Sequence, residues 1–333
     1  MTEARGTSSR DAGGWLLRGA AVLVFAWAVL ALFEASGKPW AGYEANHRHV
    51  VLRVAPGSPA ERAGLRPGDQ LVTIDGRRTD DPAALASLAR STVGQTRSMT
   101  VVREAETVNL ALAYEPAPIG LRLKAWAAII AGLTIVAICL HAWRAADSAL
   151  TRWLVAAGIG AAIAFLPGPW FDSAALRAVF SLLRSGLVLL GLLGAWRFVV
   201  LLASGPRPLS HGAVLPVALL WLLLAYRTLW PGQVAPALEI VVLVCVGLVF
   251  GGYLLATTIL FLRRYIQAPR GTRARSGLRL VLWGSVVGIA PGMLGSFTLL
   301  GQWPPATWFF LTAPLAAWAW ARAARHSEAS GSA

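Results

Sequence analysis

Val54-Ala55-Pro56-Gly57-Ser58-Pro59-Ala60-Glu61-Arg62-Ala63-Gly64-Leu65-Arg66-Pro67-Gly68-Asp69, running on into Gln70-Leu71-Val72-Thr73-Ile74-Asp75-Gly76, decides how this chain is read. Pro56 to Ala60 make a turn into a short helix, and Ala63-Gly64-Leu65 ends that helix with glycine as its cap. Pro67-Gly68-Asp69 starts a strand, and Asp75-Gly76 is a strong hairpin signal. This turn chemistry belongs to a small water-exposed domain, yet it lies in a chain whose remainder reads as membrane.

The flanking residues extend the domain. His49-Val50-Val51-Leu52-Arg53-Val54 and Met99-Thr100-Val101-Val102-Arg103 read as strands, and Pro82 to Arg90 as one short helix. Thr92-Val93-Gly94-Gln95-Thr96 precedes a strand, while Arg103-Glu104-Ala105-Glu106 turns into Thr107-Val108-Asn109-Leu110-Ala111-Leu112. In this order and spacing, residues 40–114 resemble the bacterial PDZ family. The resemblance implies a small α+β fold that adds an extended peptide to an exposed strand edge beside a helix. It places the groove between Gly42, Tyr43 and Glu44 on one side and the helix carrying Leu85 and Leu88 on the other. The family's carboxylate-holding loop of the Gly-Leu-Gly-Phe type is reduced here to Gly42-Tyr43, so two readings stay open. Either the groove captures a peptide or protein segment, or the domain is a packing or dimerising module without one.

Composition puts the rest of the chain in lipid. Of 333 residues, 56% are hydrophobic and 14% charged, against about 25% charged in soluble proteins. The mean hydropathy is +0.59. Apolar runs at 15–33, 122–143, 150–167, 176–202, 212–230, 236–262, 277–300 and 306–322 predict a polytopic α-helical bundle of eight transmembrane helices, with the PDZ domain inserted between helices 1 and 2. The expected boundaries are a cytoplasmic N-terminus with the first helix at 1–36, an extracytoplasmic domain at 37–116, seven helices at 117–322 and a short cytoplasmic tail at 323–333. An uncleaved first helix is one reading of Trp15 to Phe33, and a cleaved signal peptide is the other.

Charge supports this threading. The excess of 30 basic over 16 acidic residues gives +14, and it gathers between apolar runs. The densest group, Arg263 to Arg275, reads as a short loop that stays inside under the positive-inside rule. The predicted outside loops, Pro167 to Ala174, Trp230 to Pro236 and Gly301 to Pro305, carry no Lys or Arg and hold Trp170, Trp230 and Trp303, with Trp308 nearby, suited to headgroup depth. The expected location is the bacterial inner membrane. No basic helix with interleaved aromatics accompanies the charge, so nucleic acid is not an expected partner.

Motifs for catalysis are not found. The sequence has no His-Glu-x-x-His, and its histidines, His47, His49, His141, His211 and His326, are scattered. Ser185-Gly186 and Ser204-Gly205 lack the context of a serine nucleophile, and Cys139 and Cys245 fall in predicted helices as apolar filler. The expectation is a non-enzyme without metal or cofactor. Ionisable residues within spans are costly, which singles out Arg184, Arg227 and Glu239 as a candidate polar cluster. A buried Arg-Glu pair of structural use and a ligand pocket are both open readings. Pro216, Pro291 and Pro314 lie within spans as candidate kinks.

Arg275-Ser276-Gly277-Leu278-Arg279-Leu280-Val281-Leu282-Trp283-Gly284, then Gly288-Ile289-Ala290-Pro291-Gly292 and Phe310-Leu311-Thr312-Ala313-Pro314-Leu315, are similar to the multi-spanning input region of ComP-type quorum-sensing histidine kinases. That resemblance also places a PDZ-like domain between the first two membrane helices, and it implies sensing. The residues from Ala323 to Ala333 cannot hold a phosphoacceptor helix or an ATP-binding domain. The expected role is therefore a sensor that relays to a separate histidine kinase, with an adaptor for an envelope protease as the alternative.

Overall fold

Ser58, fully buried, starts the small helix α2 (Pro59–Arg62): its hydroxyl accepts from the Glu61 N–H at 3.2 Å. The Glu61 carboxylate reaches back to accept from the N–H of Gly57, just before the cap, at 2.6 Å, and Pro59 occupies a position that needs no donor. Gly64, at φ +86°, then reverses the chain after the helix, and the Leu65 N–H returns to the Ala60 carbonyl at 2.9 Å. The Pro-Gly-Ser-Pro-Ala-Glu stretch is thus a helix cap written in sequence.

The computed structural model describes residues 5–37, 39–46, 48–81, 84, 87–88, 91–166, 168, 171, 173–205, 208–230, 236–275, 277–289 and 311–329. It forms two compact units, one of residues 32–126 with 169–174 and one of the remainder. The first takes in the last residues of helix α1 (Arg5–Gly37) and continues with β1 (Pro39–Trp40), β2 (Tyr43–Ala45) and β3 (Val51–Val54), followed by α2. Strands β4 (Gln70–Ile74), β5 (Arg77–Arg78), β6 (Thr96–Arg103), β7 (Glu106–Ala113) and β8 (Glu115–Pro116) complete it. The main sheet runs β5-β4-β6-β7, all antiparallel, while β2 pairs with β3 and β1 with β8. The β6–β7 hairpin turns at Glu104 and Ala105, both with positive φ, as the Arg103 to Glu106 stretch foretold. Its core gathers Val51, Leu65, Leu71, Met99, Val101 and Leu112.

Asp69 pins this unit. Its carboxylate is 1% exposed and accepts two bonds from Arg103, Nε to Oδ1 and Nη2 to Oδ2, both at 2.8 Å. It also accepts from the Arg66 N–H at 2.8 Å, and the Arg103 guanidinium donates onward to the Gly64 carbonyl at 2.7 Å. One carboxylate thereby ties the Pro67-Gly68 turn, the start of β4, the end of β6 and the helix-terminating glycine.

The second unit is helical, with α3 (Ile119–Ala145), α4 (Ala149–Phe165), α5 (Ala174–Ser204), α6 (His211–Leu229), α7 (Pro236–Gln267), α8 (Arg270–Arg275), α9 (Leu278–Gly288) and α10 (Ala313–Ala329). Among the described residues five helices are long and apolar enough to cross a membrane: Gly14–Phe33, Ile119–Ala145, Ala175–Ser204, His211–Leu229 and Leu238–Gln267. Helices α4 and α9 are apolar but shorter, at 17 and 11 residues. The second half of the predicted span 277–300, with Pro291, and the first residues of the span 306–322 lie outside the described residues, as do Trp170, Trp303 and Trp308.

Small residues let these helices touch backbone to backbone. A Cβ on Gly191 of α5 would lie 2.5 Å from the Gly160 Cα of α4, and one on Gly194 would lie 2.7 Å from the Ala157 nitrogen. The same device joins α9 to α10, where a Cβ on Gly288 would meet Ala316 at 2.7 Å and one on Gly277 would meet Ala323 at 2.7 Å. At the start of α4, Ser148 and Thr151 form a reciprocal capping box, and Ser148 also bonds Glu328 of α10.

One expectation is corrected here. The basic stretch 263–275 is not a loop, because α7 runs through Arg263 and Arg264 to Gln267 and α8 follows two residues later. Arg273 makes this continuation possible by donating to the Ala268 and Ile266 carbonyls at 2.7 and 2.9 Å, which caps α7. The tail after Arg322 is also helical, to Ala329, because Ala323, Ala324 and Ser327 are buried against neighbouring helices.

Replacing Asp69 with Ala is expected to destabilise the small domain by about 3–5 kcal/mol, the cost of stripping a buried ion pair of one partner; limited proteolysis of the full chain in urea measures it. Arg103 holds the Asp69 carboxyl below its usual pKa. The stabilisation is therefore complete above the unfolded value of about 3.9 and is lost as pH falls through the lower folded value. An Asp69→Ala protein should accordingly lose less stability than the wild type between neutral and acid pH. In the bundle, Gly191→Leu should separate α4 from α5, read as a lowered thermal unfolding midpoint of the full chain in detergent.

Candidate functional site

Strand β2 has a partner on one side only. Among the described residues Tyr43–Ala45 pairs with Val51–Val54, in the register Tyr43 to Val54 and Glu44 to Arg53, and its other edge is open. Which groups face that edge follows from the ladder. The Ala55 N–H donates to the Gly42 carbonyl at 2.7 Å, which makes Tyr43 and Val54 a non-hydrogen-bonded pair. The Tyr43 N–H and C=O therefore point away from β3, toward the open edge. A bulge between Glu44 and Ala45 ends the regular pairing, so Tyr43 is the centre of a short edge.

Gly42 shapes the approach to it. Its φ is +84°, and an added Cβ would lie 2.8 Å from the Ser58 hydroxyl and 3.0 Å from the Trp40 ring. The preceding Ala41 carbonyl accepts from Ala60 of α2 at 2.9 Å. The remnant of the family's loop is thus clamped against the cap of α2, and only glycine fits there.

The other wall that the resemblance implies is the segment containing Ala84, Ser87 and Leu88, which are helical as expected for Pro82 to Arg90. Leu88 is partly buried and packs on the core of the small domain. Leu85 lies outside the described residues, as does His47. Glu44 is exposed on β2.

A polar chain that sequence reasoning did not single out joins the two walls. Arg97 of β6, 6% exposed, donates to the Ser91 hydroxyl at 2.9 Å, to the Ser87 hydroxyl at 3.3 Å and carbonyl, and to the Asp75 carboxylate of the β4–β5 turn. Tyr114 lies close to Ser91 on one side and to Tyr43 on the other. Burial, reinforced by that neighbouring phenol, pushes the Tyr43 hydroxyl above its ordinary pKa, and burial raises Tyr114 as well. Neither phenol ionises near neutral pH, so the chain remains a set of neutral hydroxyls ending on one guanidinium. The signal was present in β6: Arg97, Met99 and Val101 alternate inward, which puts an arginine at a core position.

The intramembrane candidates come together only in part. The Arg227 Nε donates to Glu239 Oε1 at 2.9 Å, so the anticipated ion pair exists between α6 and α7. It is not buried: the two side chains are 49% and 46% exposed. Arg184 is on α5 near Gly168 and forms no ion pair with either. Among the described residues no group of three or more His, Cys, Asp or Glu is placed to hold a metal.

Comparison with known proteins bears on this unit. A family model of the PDZ domain matches residues 50–103, and these residues are a PDZ domain. A probable periplasmic serine endoprotease, DegP-like, of Hahella chejuensis is 39% identical over 64 residues, covering 19% of this chain and 14% of its own. The putative serine protease HhoA of Synechocystis is 56% identical over 36 residues, covering 11% of this chain and 9% of its own. A solved structure of the HtrA-type protease AlgW with a decapeptide is 30% identical, covering 25% of this chain and 30% of that one, at a TM-score of 0.22. The chain spans less than a sixth of the length of the two protease relatives, and the similarity is that of their PDZ domains.

Arg97→Met should detach the helical wall from β6 and cost about 2 kcal/mol, the scale of hydrogen bonds made by a charged donor. Hydrogen exchange should show the loss first at Ser87 to Ser91, with Arg97→Lys recovering only part because ammonium cannot reproduce the fork.

Proposed function

We propose that this protein is a membrane-anchored receptor for an extended peptide or protein segment. The observation that carries the proposal is the open edge of β2, where Tyr43 presents both backbone groups beside a helix. An incoming segment adds a strand there, and side chains between the strand and the helix select it. The reduced loop at Gly42-Tyr43 favours internal or flexible segments over strict capture of a C-terminal carboxylate. The bound domain lies outside the cytoplasmic membrane, and the helices, eight in this reading, carry the signal inward by a shift between two packings to which the ligand binds unequally. The chain works without catalysis of its own and acts on a separate partner, a histidine kinase in the leading version.

A second reading has a specific observation in its favour. The relatives matched by the PDZ domain are serine proteases, so this PDZ domain also suits an adaptor that delivers clients to an envelope protease.

The test is peptide capture by the full chain in nanodiscs, using an array of envelope-protein segments. Tyr43→Pro removes one outward N–H and should weaken capture about tenfold, the equivalent of one hydrogen bond near 1.4 kcal/mol. Tyr43→Phe keeps both outward backbone groups and removes only the buried hydroxyl beside Tyr114, so capture should stay within about threefold, the low end of one net hydrogen bond. Equal capture by all three proteins would remove β2 addition as the mode. Crosslinking in cells then separates the readings: a captured kinase supports relay, and a captured protease with unchanged signalling supports delivery.

A further inference from the structure

We propose that the cleft between the ends of α5 and α7 binds the headgroup of an anionic, hydroxyl-bearing phospholipid of the phosphatidylglycerol class. The cleft has a volume of about 600 Å³ and is lined by Ser204, Gly205, Leu260, Arg263, Arg264 and Gln267, together with Leu202 and Ala203. The proposal rests on reading α5 and α7 as membrane spans, for which both have the length and apolarity. It is independent of the peptide reading.

Three features select the ligand. The first is two arginines without work to do in the fold. Among the described residues neither Arg263 nor Arg264 has an ion pair, and no acidic residue lines the cleft. They do not cap their own helix, since Arg273 occupies the Ile266 and Ala268 carbonyls and stacks on Tyr265 at 4.8 Å. The Arg264 carbonyl already accepts from the Ala268 N–H at 3.0 Å. Guanidinium forks left in this state match phosphate oxygens.

The second feature is a set of acceptors. Gly205, at φ +72°, ends α5 and donates its N–H to the Leu201 carbonyl at 2.9 Å. The carbonyls of Leu202, Ala203 and Ser204 follow in the last turn, and among the described residues no backbone N–H beyond the helix donates to them. A ligand that satisfies both sides therefore brings an anion for the arginines and hydroxyl donors for the carbonyls. A choline headgroup has no donor, and an ethanolamine ammonium would sit beside two guanidinium charges. A glycerol headgroup on a phosphodiester meets both requirements.

The third feature is position. Leu202 and Leu260 continue the cleft into the apolar stretches of the two helices, so acyl chains can follow the headgroup without leaving hydrocarbon. Basic clefts at the ends of spans are suited to lipid phosphates for the same reason. A free phosphate would use the arginines and leave the carbonyls and leucines unmatched.

Native mass spectrometry of the full-length protein in detergent, titrated with dioleoyl phosphatidylglycerol, phosphatidylcholine and phosphatidate, tests this. The expected result is retention of phosphatidylglycerol about tenfold above phosphatidylcholine, reduced to near parity by Arg263→Gln with Arg264→Gln. Arg270→Gln, a basic residue outside the cleft, should leave selectivity intact, and thermal unfolding should be unchanged in all variants. Equal retention of the two lipids by the wild type, or full selectivity in the double variant, overturns the site. Equal loss in the Arg270 variant also overturns it, because the effect would then be diffuse charge. Retention of phosphatidate equal to that of phosphatidylglycerol overturns the hydroxyl assignment, and displacement by millimolar inorganic phosphate overturns the lipid source. Peptide capture by the double variant should remain at the wild-type level, which keeps failure here distinct from failure of the receptor reading.

Discussion

The Asp69 carboxylate is the constraint on which the small domain depends. A domain of this size has a modest apolar core, so the turns that align its strands must be held by something more directional than burial. Asp69 supplies three acceptor contacts at 2.8 Å from groups in two different segments, and Arg103 passes the connection to Gly64. Without the pair, the Pro67-Gly68 turn would have no fixed relation to the end of β6, and β3 would lose its alignment with β4. The Val51 N–H bonds the Asp69 carbonyl at 2.8 Å, so the same residue sets the strand that β2 pairs with. The open edge of β2 is therefore positioned, at two removes, by a buried ion pair.

In the helical unit the governing term is different. Apolar helices in lipid gain little from burying apolar surface against one another, so contact depends on close backbone approach and on satisfied polar groups. Gly160, Gly191 and Gly194 supply the approach between α4 and α5, and Gly277, Gly284 and Gly288 against Ala316, Ala319 and Ala323 supply it between α9 and α10. Polar groups are placed sparingly: Trp320 Nε1 donates to the Ser285 hydroxyl at 3.0 Å, and the Tyr253 hydroxyl to the Ala213 carbonyl. These glycine spacings are in the sequence, but a glycine pattern does not name its partner helix. That pairing is tertiary information.

Legibility in sequence follows the same division. The turns of the small domain were readable because Pro, Gly, Ser and Asp act locally: Gly57, Gly64, Gly68 and Gly76 all adopt the positive φ that their positions imply. The helix lengths were less so, because apolar runs mark lipid-facing residues and not where a helix stops. Arg263 and Arg264 look like loop residues by charge and are the last turn of α7, since an arginine can extend beyond the apolar zone while its backbone stays helical. The candidate site divided similarly. Gly42 and Tyr43 were found through a family resemblance, whereas Arg97 escaped notice because charged residues are normally read as surface. Arg184, Arg227 and Glu239 were grouped by depth alone, and depth does not fix the azimuth around each helix.

The shortness of β2 has a consequence for recognition. A three-residue edge interrupted by a bulge offers an incoming strand few backbone bonds, each worth about 0.5–1.5 kcal/mol net. Backbone pairing alone would then give weak and unselective capture, so discrimination falls to the helical wall carrying Leu88. That segment is held in place, because Arg97 of β6 donates to its Ser87 carbonyl and to the Ser91 hydroxyl that follows it. A ligand that widens the groove must stretch this chain of bonds, and one that fits leaves it intact. In the proposed receptor the buried arginine would thus convert a shape difference at the groove into a difference in hydrogen-bond energy, so that selectivity exceeds what the short strand edge provides.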